Sequence, residues 1–137
     1  MKISSLLSKA KKLFKRRRSD KKELGDAGEK FAEKYLKSLG FKIIRKNYSS
    51  PFGEIDIIAR EKDTLVFVEV KSRNEGLEGS AEYAVDSKKR YRITRTALYY
   101  LNENKLGEID CRFDVVIVHF SERGRARVSL IKNAFPI

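Results

Sequence analysis

Two adjacent apolar segments constrain the fold of this chain more than any other feature. Residues 54–60 (EIDIIAR) and 64–71 (TLVFVEVK) are rich in β-branched and aromatic side chains, which is typical of strands. The polar residues 61–63 between them form a connection too short for a crossover. The sequence therefore predicts an antiparallel hairpin.

Within this hairpin, two acidic side chains are predicted to approach each other. Because side chains alternate between the two faces of a strand, we expect Glu54 and Asp56 to share the face opposite Ile55 and Ile57. A tight hairpin then brings Asp56 within side-chain reach of Glu69 on the next strand. Glu54 is the nearest alternative acid, and exposure to solvent near the start of the strand is sufficient to explain it.

The pair of Asp56 and Glu69 needs a positive neighbour, because two carboxylates about 4 Å apart at a partly shielded site repel by roughly 4 kcal/mol. A divalent metal ion would supply this charge, and so would Lys71, which shares the strand face of Glu69. Mg²⁺ prefers oxygen ligands and keeps several waters, so two carboxylates and a phosphate oxygen suit it. The structural alternative is a salt bridge between Lys71 and either acid, worth about 0.2–1 kcal/mol.

Lys71 has a predicted role in chemistry at such a site. It would orient the attacking water and stabilise the transition state of phosphodiester hydrolysis. Because flanking carboxylates favour the charged form of an ammonium group, we expect this orienting and electrostatic role rather than that of a base.

The tetrapeptide Gly-Glu-Ile-Asp occurs twice, at residues 53–56 and 107–110. The first copy leads into the hairpin and its second acid, whereas the second copy leads into CRFDVV without a comparable partner nearby in sequence. We therefore predict that Asp56 is a chemical residue and that Asp110 is a turn residue before a core strand.

The first half of the chain predicts a helix followed by three strands. The helix begins at Ser19 or Asp20 and ends at Gly40, and a strand over residues 41–47 and a turn over residues 48–53 precede the hairpin. Three consecutive strands with short connections indicate an antiparallel meander. The inward side chains of the helix are predicted to be Leu24, Ala27, Phe31, Tyr35 and Leu39.

The second half predicts one longer helix and two strands, which completes the order α-β-β-β-α-β-β. A helical turn is expected over residues 80–85, the helix over 87–102, and the strands over 113–120 and 127–131. The inward side chains of this helix are predicted to be Tyr91, Thr94, Leu98 and Leu101.

The net charge of +12 is concentrated at the N-terminus. Residues 1–22 carry ten Lys and Arg side chains against one acid, so a basic arm is predicted there and a folded domain over residues 23–137. Apolar residues at helical spacing favour an amphipathic helix in the arm. Three interpretations remain open: a mobile solvated arm, an arm that grasps nucleic acid, and a segment that contacts an anionic membrane surface.

The content of cysteine and of apolar residues excludes several classes of protein. A single cysteine excludes an internal disulfide framework, and no Cys/His cluster is present to bind zinc. No apolar run approaches the ~20 residues needed to span a bilayer, and the N-terminus lacks the apolar core of a secretory signal. These features favour a cytoplasmic location.

Both helices carry further candidate residues. Glu29 is preferred over Glu33 as a site residue of the first helix, because Glu33 lies between Lys30 and Lys37 and is explained as an ion-pairing residue. On the second helix, the spacings of four and three residues predict a basic stripe that would contact nucleic-acid phosphates. A solvated helix face is the alternative. The stripe consists of Lys88, Arg92 and Arg95.

Together, these residues resemble the pattern of the PD-(D/E)XK nuclease superfamily, which has a helix glutamate, a strand aspartate, and Glu-x-Lys on the next strand. The segments PFGEIDIIAR, VFVEVKSR, RFDVV and IKNAF are similar to those of the YraN-type family of predicted endonuclease-like bacterial proteins. The resemblance spans residues 24–135. It implies an α/β, restriction-endonuclease-like core with a mixed central sheet of about five strands flanked by helices.

The resemblance also implies roles for individual residues. Asp56 and Glu69 match the metal-binding acids of the superfamily, and Lys71 matches its catalytic lysine. Glu29 matches the acidic residue of the first helix, so we expect it to join the two strand acids at the catalytic and metal-binding centre.

The implied function follows from the same resemblance. The family is similar in fold to archaeal Holliday junction resolvases, which act as dimers on branched DNA. This implies an endonuclease dependent on Mg²⁺ or Mn²⁺, with branched DNA as substrate and a homodimer as the assembly. The first alternative is a nucleic-acid-binding protein that retains the nuclease fold without cleaving. The second is a protein-interaction or membrane-surface factor anchored by the basic arm.

Overall fold

A computed structural model describes residues 21–74 and 85–136, which form two helices and one five-stranded sheet. The predicted order α-β-β-β-α-β-β is confirmed. The elements are α1 (Lys21–Ser38), β1 (Lys42–Ser50), β2 (Gly53–Glu61), β3 (Thr64–Asn74), α2 (Ser87–Glu103), β4 (Cys111–Phe120) and β5 (Ala126–Phe135). Residues 1–20 of the basic arm predicted over 1–22, the predicted caps Ser19 and Asp20 of α1, and nearly all of the helical turn predicted over 80–85 lie outside the described residues, and these stay predictions. The last two residues of the predicted arm are the first two of α1.

The sheet is mixed, as expected, and its strands follow one another in the order of the sequence. The first three strands form an antiparallel meander, β4 pairs parallel to β3, and β5 pairs antiparallel to β4. A parallel pair requires a crossover, and α2 lies in the connection between β3 and β4. No helix within the described residues is both long enough and apolar enough to cross a bilayer.

The two helices cover opposite faces of the sheet, so that the core has two halves. The alternation along β3 shows this division: Val66 and Val68 pack into the half beneath α1, and Leu65 and Phe67 pack into the half beneath α2. Each half is fully buried at its centre. The helix side chains that close the two halves are Ala27, Phe31, Ala32 and Leu36 from α1, and Ile93, Ala97 and Tyr100 from α2.

The inward face of each helix differs from the prediction. In α1, Leu36 is fully buried and Leu39 is 47% exposed, because the helix ends at Ser38 before a further turn could place Leu39 on the sheet. In α2, the predicted side chains Tyr91 and Leu98 are 61% and 50% exposed. The prediction for these two side chains was wrong, because α2 carries two apolar stripes, and the buried one is Ile93, Thr96, Ala97 and Tyr100. The predicted Leu101 does pack against this half of the core, as Ala27 and Phe31 of α1 pack into the other half.

Candidate functional site

The candidate site begins where β2 and β3 diverge. The two strands pair from Glu61 and Thr64 to Ile57 and Val68. Beyond that point the backbone amide of Val70 donates instead to the Asp56 side chain, with a distance of 2.8 Å to Oδ2. The carboxyl group therefore takes the place of a strand carbonyl and is held by the sheet itself.

Asp56 lies at a break in the alternation of β2. Ile55 packs beneath α2 and Ile57 packs beneath α1, so the prediction that they share one face was wrong. Asn47 of β1 lies between the partners of these two isoleucines and has a left-handed backbone conformation, with φ of 51°. The break between Ile55 and Ile57 thus lies opposite this left-handed residue, with Asp56 at the junction.

As predicted, Asp56 and Glu69 come together. Burial, together with the hydrogen bond to Glu69 and its charge, raises the pKa of Asp56 to about 9. Asp56 is therefore protonated near neutral pH and donates its proton to Glu69, whose side chain is only 8% exposed. Two acids that share one proton are typical of sites that bind a cation or transfer protons.

The positive partner of this acidic pair is a lysine of α2, and this contact could not be predicted from the sequence. Lys89 Nζ lies 2.7 Å from Glu69 Oε2. Burial lowers the pKa of Lys89, but the hydrogen bond and charge of Glu69 outweigh this effect and leave the pKa above its usual value. The sequence carries no direct signal for this contact, because twenty residues separate the two side chains and the loop between them contains no recognisable motif.

Lys71 is on the same face of β3 as Glu69, as predicted, and its surroundings act on its pKa in both directions. Burial, with the neighbouring charges of Arg73 and Lys89, lowers the pKa of Lys71 despite the opposing effect of Glu69. Glu69 favours the charged form of Lys71, as expected, but burial and the neighbouring positive charges outweigh its effect. A lowered pKa increases the fraction of lysine in the neutral form, which is the form that can accept a proton.

Glu29 lies on the α1 side of the same junction. Glu29 and Asp56 both line an open depression of about 240 Å³ between α1, β1 and β2. Burial and then the charge of Asp26 raise the pKa of Glu29, with smaller effects from Glu54 and Glu69. Glu33 also lines the depression and forms an ion pair with Lys46 at 3.4 Å, in agreement with its predicted ion-pairing character.

The described acids form a pair rather than a triad. In residues 21–74 and 85–136, no three His, Cys, Asp or Glu side chains converge closely enough to hold a metal ion together. Asp56 and Glu69 are in contact, whereas Glu29 influences them through space from the opposite helix. Its predicted role as a metal ligand and catalytic residue stays a prediction.

A close approach of α1 to β3 positions Glu29. A side chain at Gly28 would collide with the Ser72 hydroxyl group, and the Phe120 ring lies just beyond it. Because glycine has no Cβ, the helix backbone can rest directly on the strand that carries Glu69 and Lys71. Glycine at this position thus determines how near Glu29 comes to the strand acids.

The predicted basic stripe of α2 is exposed and begins near the acidic pair. All three side chains, Lys88, Arg92 and Arg95, are exposed. The guanidinium group of Arg95 lies over the Phe52 ring, 4.6 Å from its centroid, in the turn between β1 and β2. A row of cations therefore extends from the acidic pair towards this turn. A phosphate backbone that lay along α2 would follow the same line.

The other two acids considered in the sequence, Asp110 and Glu54, lie apart from the pair of Asp56 and Glu69. Asp110 is exposed immediately before β4, as expected for a turn residue. Glu54 is exposed and accepts a hydrogen bond from Ser49 Oγ at 3.2 Å.

Comparison with known proteins identifies a family whose members match most of this chain, including the pair of Asp56 and Glu69. A family model with the description "Uncharacterised protein family UPF0102" matches residues 28–118. A UPF0102 protein of Syntrophus aciditrophicus is 46% identical over 113 residues, which cover 82% of this chain and 88% of the relative. A UPF0102 protein of Clostridioides difficile is 47% identical over 114 residues, which cover 83% and 97%. The resemblance to the YraN-type family is thereby confirmed.

Proposed function

Since the chain belongs to the uncharacterised protein family UPF0102, we propose that it is a metal-dependent endonuclease that hydrolyses DNA phosphodiesters. The observation that carries this proposal is the contact between Asp56 and Glu69 where β2 and β3 diverge, with Lys71 on the same strand face as Glu69. The resemblance of these residues to the PD-(D/E)XK pattern supports the reaction class.

The donor set fits Mg²⁺ or Mn²⁺. Asp56 and Glu69 offer hard oxygen ligands and share one proton in the absence of a metal, so the pair carries a negative charge that a divalent cation can compensate. Mg²⁺ is commonly bound through one or two carboxylates, with water and substrate phosphate completing its coordination. When bound, the metal would stabilise negative charge on the phosphodiester.

The other side chains have complementary roles in this proposal. Lys71 orients the attacking water, and in its charged form it offsets the charge of the transition state. Glu29 faces the depression beside Asp56 and positions water there. The exposed stripe of Lys88, Arg92 and Arg95 binds the phosphates that flank the cleaved bond.

The proposal extends to the setting in which the protein acts. DNA is the substrate because its phosphates complement the basic face of α2, and branched DNA and a homodimer follow from the resemblance to the resolvases. A cytoplasmic location is part of the proposal, since bacterial DNA and free Mg²⁺ are both present there.

A cleavage assay on linear, flapped and four-way DNA with Mg²⁺ or Mn²⁺ tests the proposal. We expect Asp56→Asn and Lys71→Met to lower the rate at least ~10²-fold relative to the wild type, since each removes charge stabilisation of the transition state. Asp110→Asn is the matched control, because it alters the same tetrapeptide in its second copy, and it should retain full activity.

The outcomes separate the proposal from its alternative. A wild-type protein that binds these DNAs without cleaving them supports the non-catalytic nucleic-acid-binding protein, for which the exposed stripe on α2 is the favourable observation. Cleavage at the same rate by all four proteins indicates a contaminating nuclease and contradicts the proposed site.

A further inference from the structure

The first turn of α2 holds the backbone of Lys89 at a fixed position beside the sheet. Asp86 caps the helix, and its side chain accepts a hydrogen bond from the Lys89 amide at 2.8 Å. The Asp86 carbonyl accepts a further bond from the Arg90 amide at 2.9 Å. The Cα of Lys89 is thus anchored, and only its long side chain is able to move without disturbing the helix.

The ion pair between Lys89 and Glu69 joins an accessible base to an inaccessible acid. The Lys89 side chain is 52% exposed, whereas that of Glu69 is 8% exposed, although their charged atoms are 2.7 Å apart. Lys89 can therefore rotate into solvent by changes at its side-chain torsions alone. The Glu69 side chain cannot rotate into solvent in this way, because it is enclosed on the central strand β3.

A metal ion and the Lys89 ammonium group would compete for the same place. A divalent cation binds carboxylate oxygens at about 2.1 Å, so a metal held by Asp56 and Glu69 would approach the oxygens that Lys89 now contacts. The repulsion between a divalent ion and an ammonium group is twice that between two single charges at the same distance. The buried acids can accommodate one of these cations at close range.

We propose that Lys89 is a displaceable internal cation, which neutralises Glu69 in the metal-free protein and swings into solvent when a divalent metal ion binds. This inference rests on the proposed metal-dependent function. It assigns to Lys89 a positioning and regulatory role: the strength of its contact with Glu69 sets the metal concentration at which the site fills. A permanent structural salt bridge is the alternative.

Chemical labelling of lysine in the unaltered protein tests the displacement directly. With a limiting amount of an acetylating reagent, mass spectrometry measures the labelling rates of Lys89 and of its exposed neighbour Lys88. We expect Lys89 to react more slowly than Lys88 without metal, and to accelerate several-fold when Mg²⁺ is added, as the ammonium group leaves Glu69. Lys88 serves as the internal control and should keep its rate. An unchanged rate at Lys89 under saturating Mg²⁺ contradicts the proposal.

Metal affinity gives a second test that does not depend on cleavage. Calorimetric titration with Mn²⁺ alone should show that Lys89→Met binds about tenfold more tightly than the wild type, because the competing cation is absent. The matched variant Lys88→Met removes the same charge from the same helix turn without the contact, and its affinity should change by less than about twofold.

The titrations distinguish failure of this inference from failure of the proposed function. Equal affinity in the wild type and in Lys89→Met, or the same increase in both variants, contradicts displacement and leaves the endonuclease proposal intact. Absence of Mn²⁺ binding in every protein, including the wild type, contradicts the metal-dependent function and with it the inference. Thermal unfolding of each variant without metal verifies that it is folded.

Discussion

Two aspartates in this sheet use the same backbone contact but have opposite electrostatic surroundings. Asp56 accepts the amide of Val70 at 2.8 Å where β2 and β3 stop pairing. Asp114 accepts the amide of Asn133 at 3.0 Å where the register of β4 and β5 shifts. In each case a side-chain oxygen satisfies an amide at a break in the ladder.

The neighbours of Asp114 balance its charge. Arg112 contacts both of its oxygens, with Nε 3.0 Å from Oδ1 and Nη2 3.1 Å from Oδ2, although Asp114 is completely buried. Arg112 Nη2 also donates to Glu61 at 2.7 Å, and Lys132 contacts the same acid at 2.9 Å. Hydrogen bonds from Lys132 and Arg112 lower the pKa of Glu61. Two acids and two bases thus form a closed network that supports the fold.

The neighbours of Asp56 balance its charge only with the help of a bound proton and a half-exposed lysine. Its nearest side-chain partner is another acid, Glu69, and Lys89 supplies one positive charge for the two. The difference between the two regions teaches that an acid at a break in a sheet is structural when enclosed bases balance its charge. When the balance depends on a bound proton and a displaceable cation, the acid is a candidate for binding a metal ion.

The largest expected effect comes from breaking the balanced network. Arg112→Met should lower the free energy of unfolding by about 3–5 kcal/mol, because Asp114 then stays buried without a counter-charge. Urea unfolding measures this loss. Lys89→Met is the corresponding change at the acidic pair, and it should cost less than about 1 kcal/mol, since Asp56 and Glu69 already share a proton. A comparable loss in both variants would remove the distinction between the two regions.

The next effect is a dependence of stability on pH that arises from Asp56. Its pKa is about 9 in the folded protein and near its usual value of 3.8 in the unfolded chain, so the folded state binds more protons between these values. Stability should therefore decrease as pH rises, by about 4 kcal/mol from pH 5 to 8 in metal-free protein.

Asp56→Asn provides the control for this pH dependence. The variant should lose most of the slope, with a smaller dependence of the same sign left by Glu29, whose pKa is also raised. Glu61 acts in the opposite direction, because its lowered pKa adds stability that disappears only at acidic pH. If the wild type and Asp56→Asn have the same slope between pH 5 and 8, Asp56 does not hold the proton assigned to it.

A metal ion bound by the acidic pair should stabilise the folded protein. At pH 8, Mn²⁺ at ten times its dissociation constant is expected to raise the unfolding free energy of the wild type by about 1.4 kcal/mol, because it binds the folded state alone. The same concentration should leave Asp56→Asn unchanged, as measured by thermal unfolding. Equal stabilisation of both proteins would locate the metal elsewhere.

The smallest effect is expected at the exposed edge of the balanced network. Lys132→Ala removes one of the two cations that contact Glu61, but the Lys132 side chain is 51% exposed. The loss in unfolding free energy should therefore lie within about 0.2–1 kcal/mol. A loss above that range, measured by urea unfolding, would show that Lys132 acts on Asp114 through Arg112.

The elements that depend on local pattern could be predicted from the sequence. The hairpin of β2 and β3 followed from two apolar segments and a short polar turn, and it was sufficient to bring Asp56 to Glu69. The order of all seven elements could be predicted for the same reason.

Features that depend on contacts across the fold could not be predicted. The inward face of α2 is determined by packing against Tyr48 and Phe67 on distant strands, and Tyr100 meets both of these rings. The break in alternation at Asp56 lies opposite the left-handed backbone of Asn47 on another strand. Lys89 reaches Glu69 only because the crossover returns α2 over β3. The lowered pKa of Lys71 follows from the same packing, since Lys89 is one of its causes.

The crossover between β3 and β4 also determines the order in which the centre is assembled in time. The hairpin that joins Asp56 and Glu69 is local in sequence, whereas the parallel pairing of β3 with β4 requires a long loop to close and is therefore slower. Lys89 arrives with this later step. We therefore expect a folding chain to bring the two acids together before their base arrives, so that the docking of α2 is the step that neutralises them.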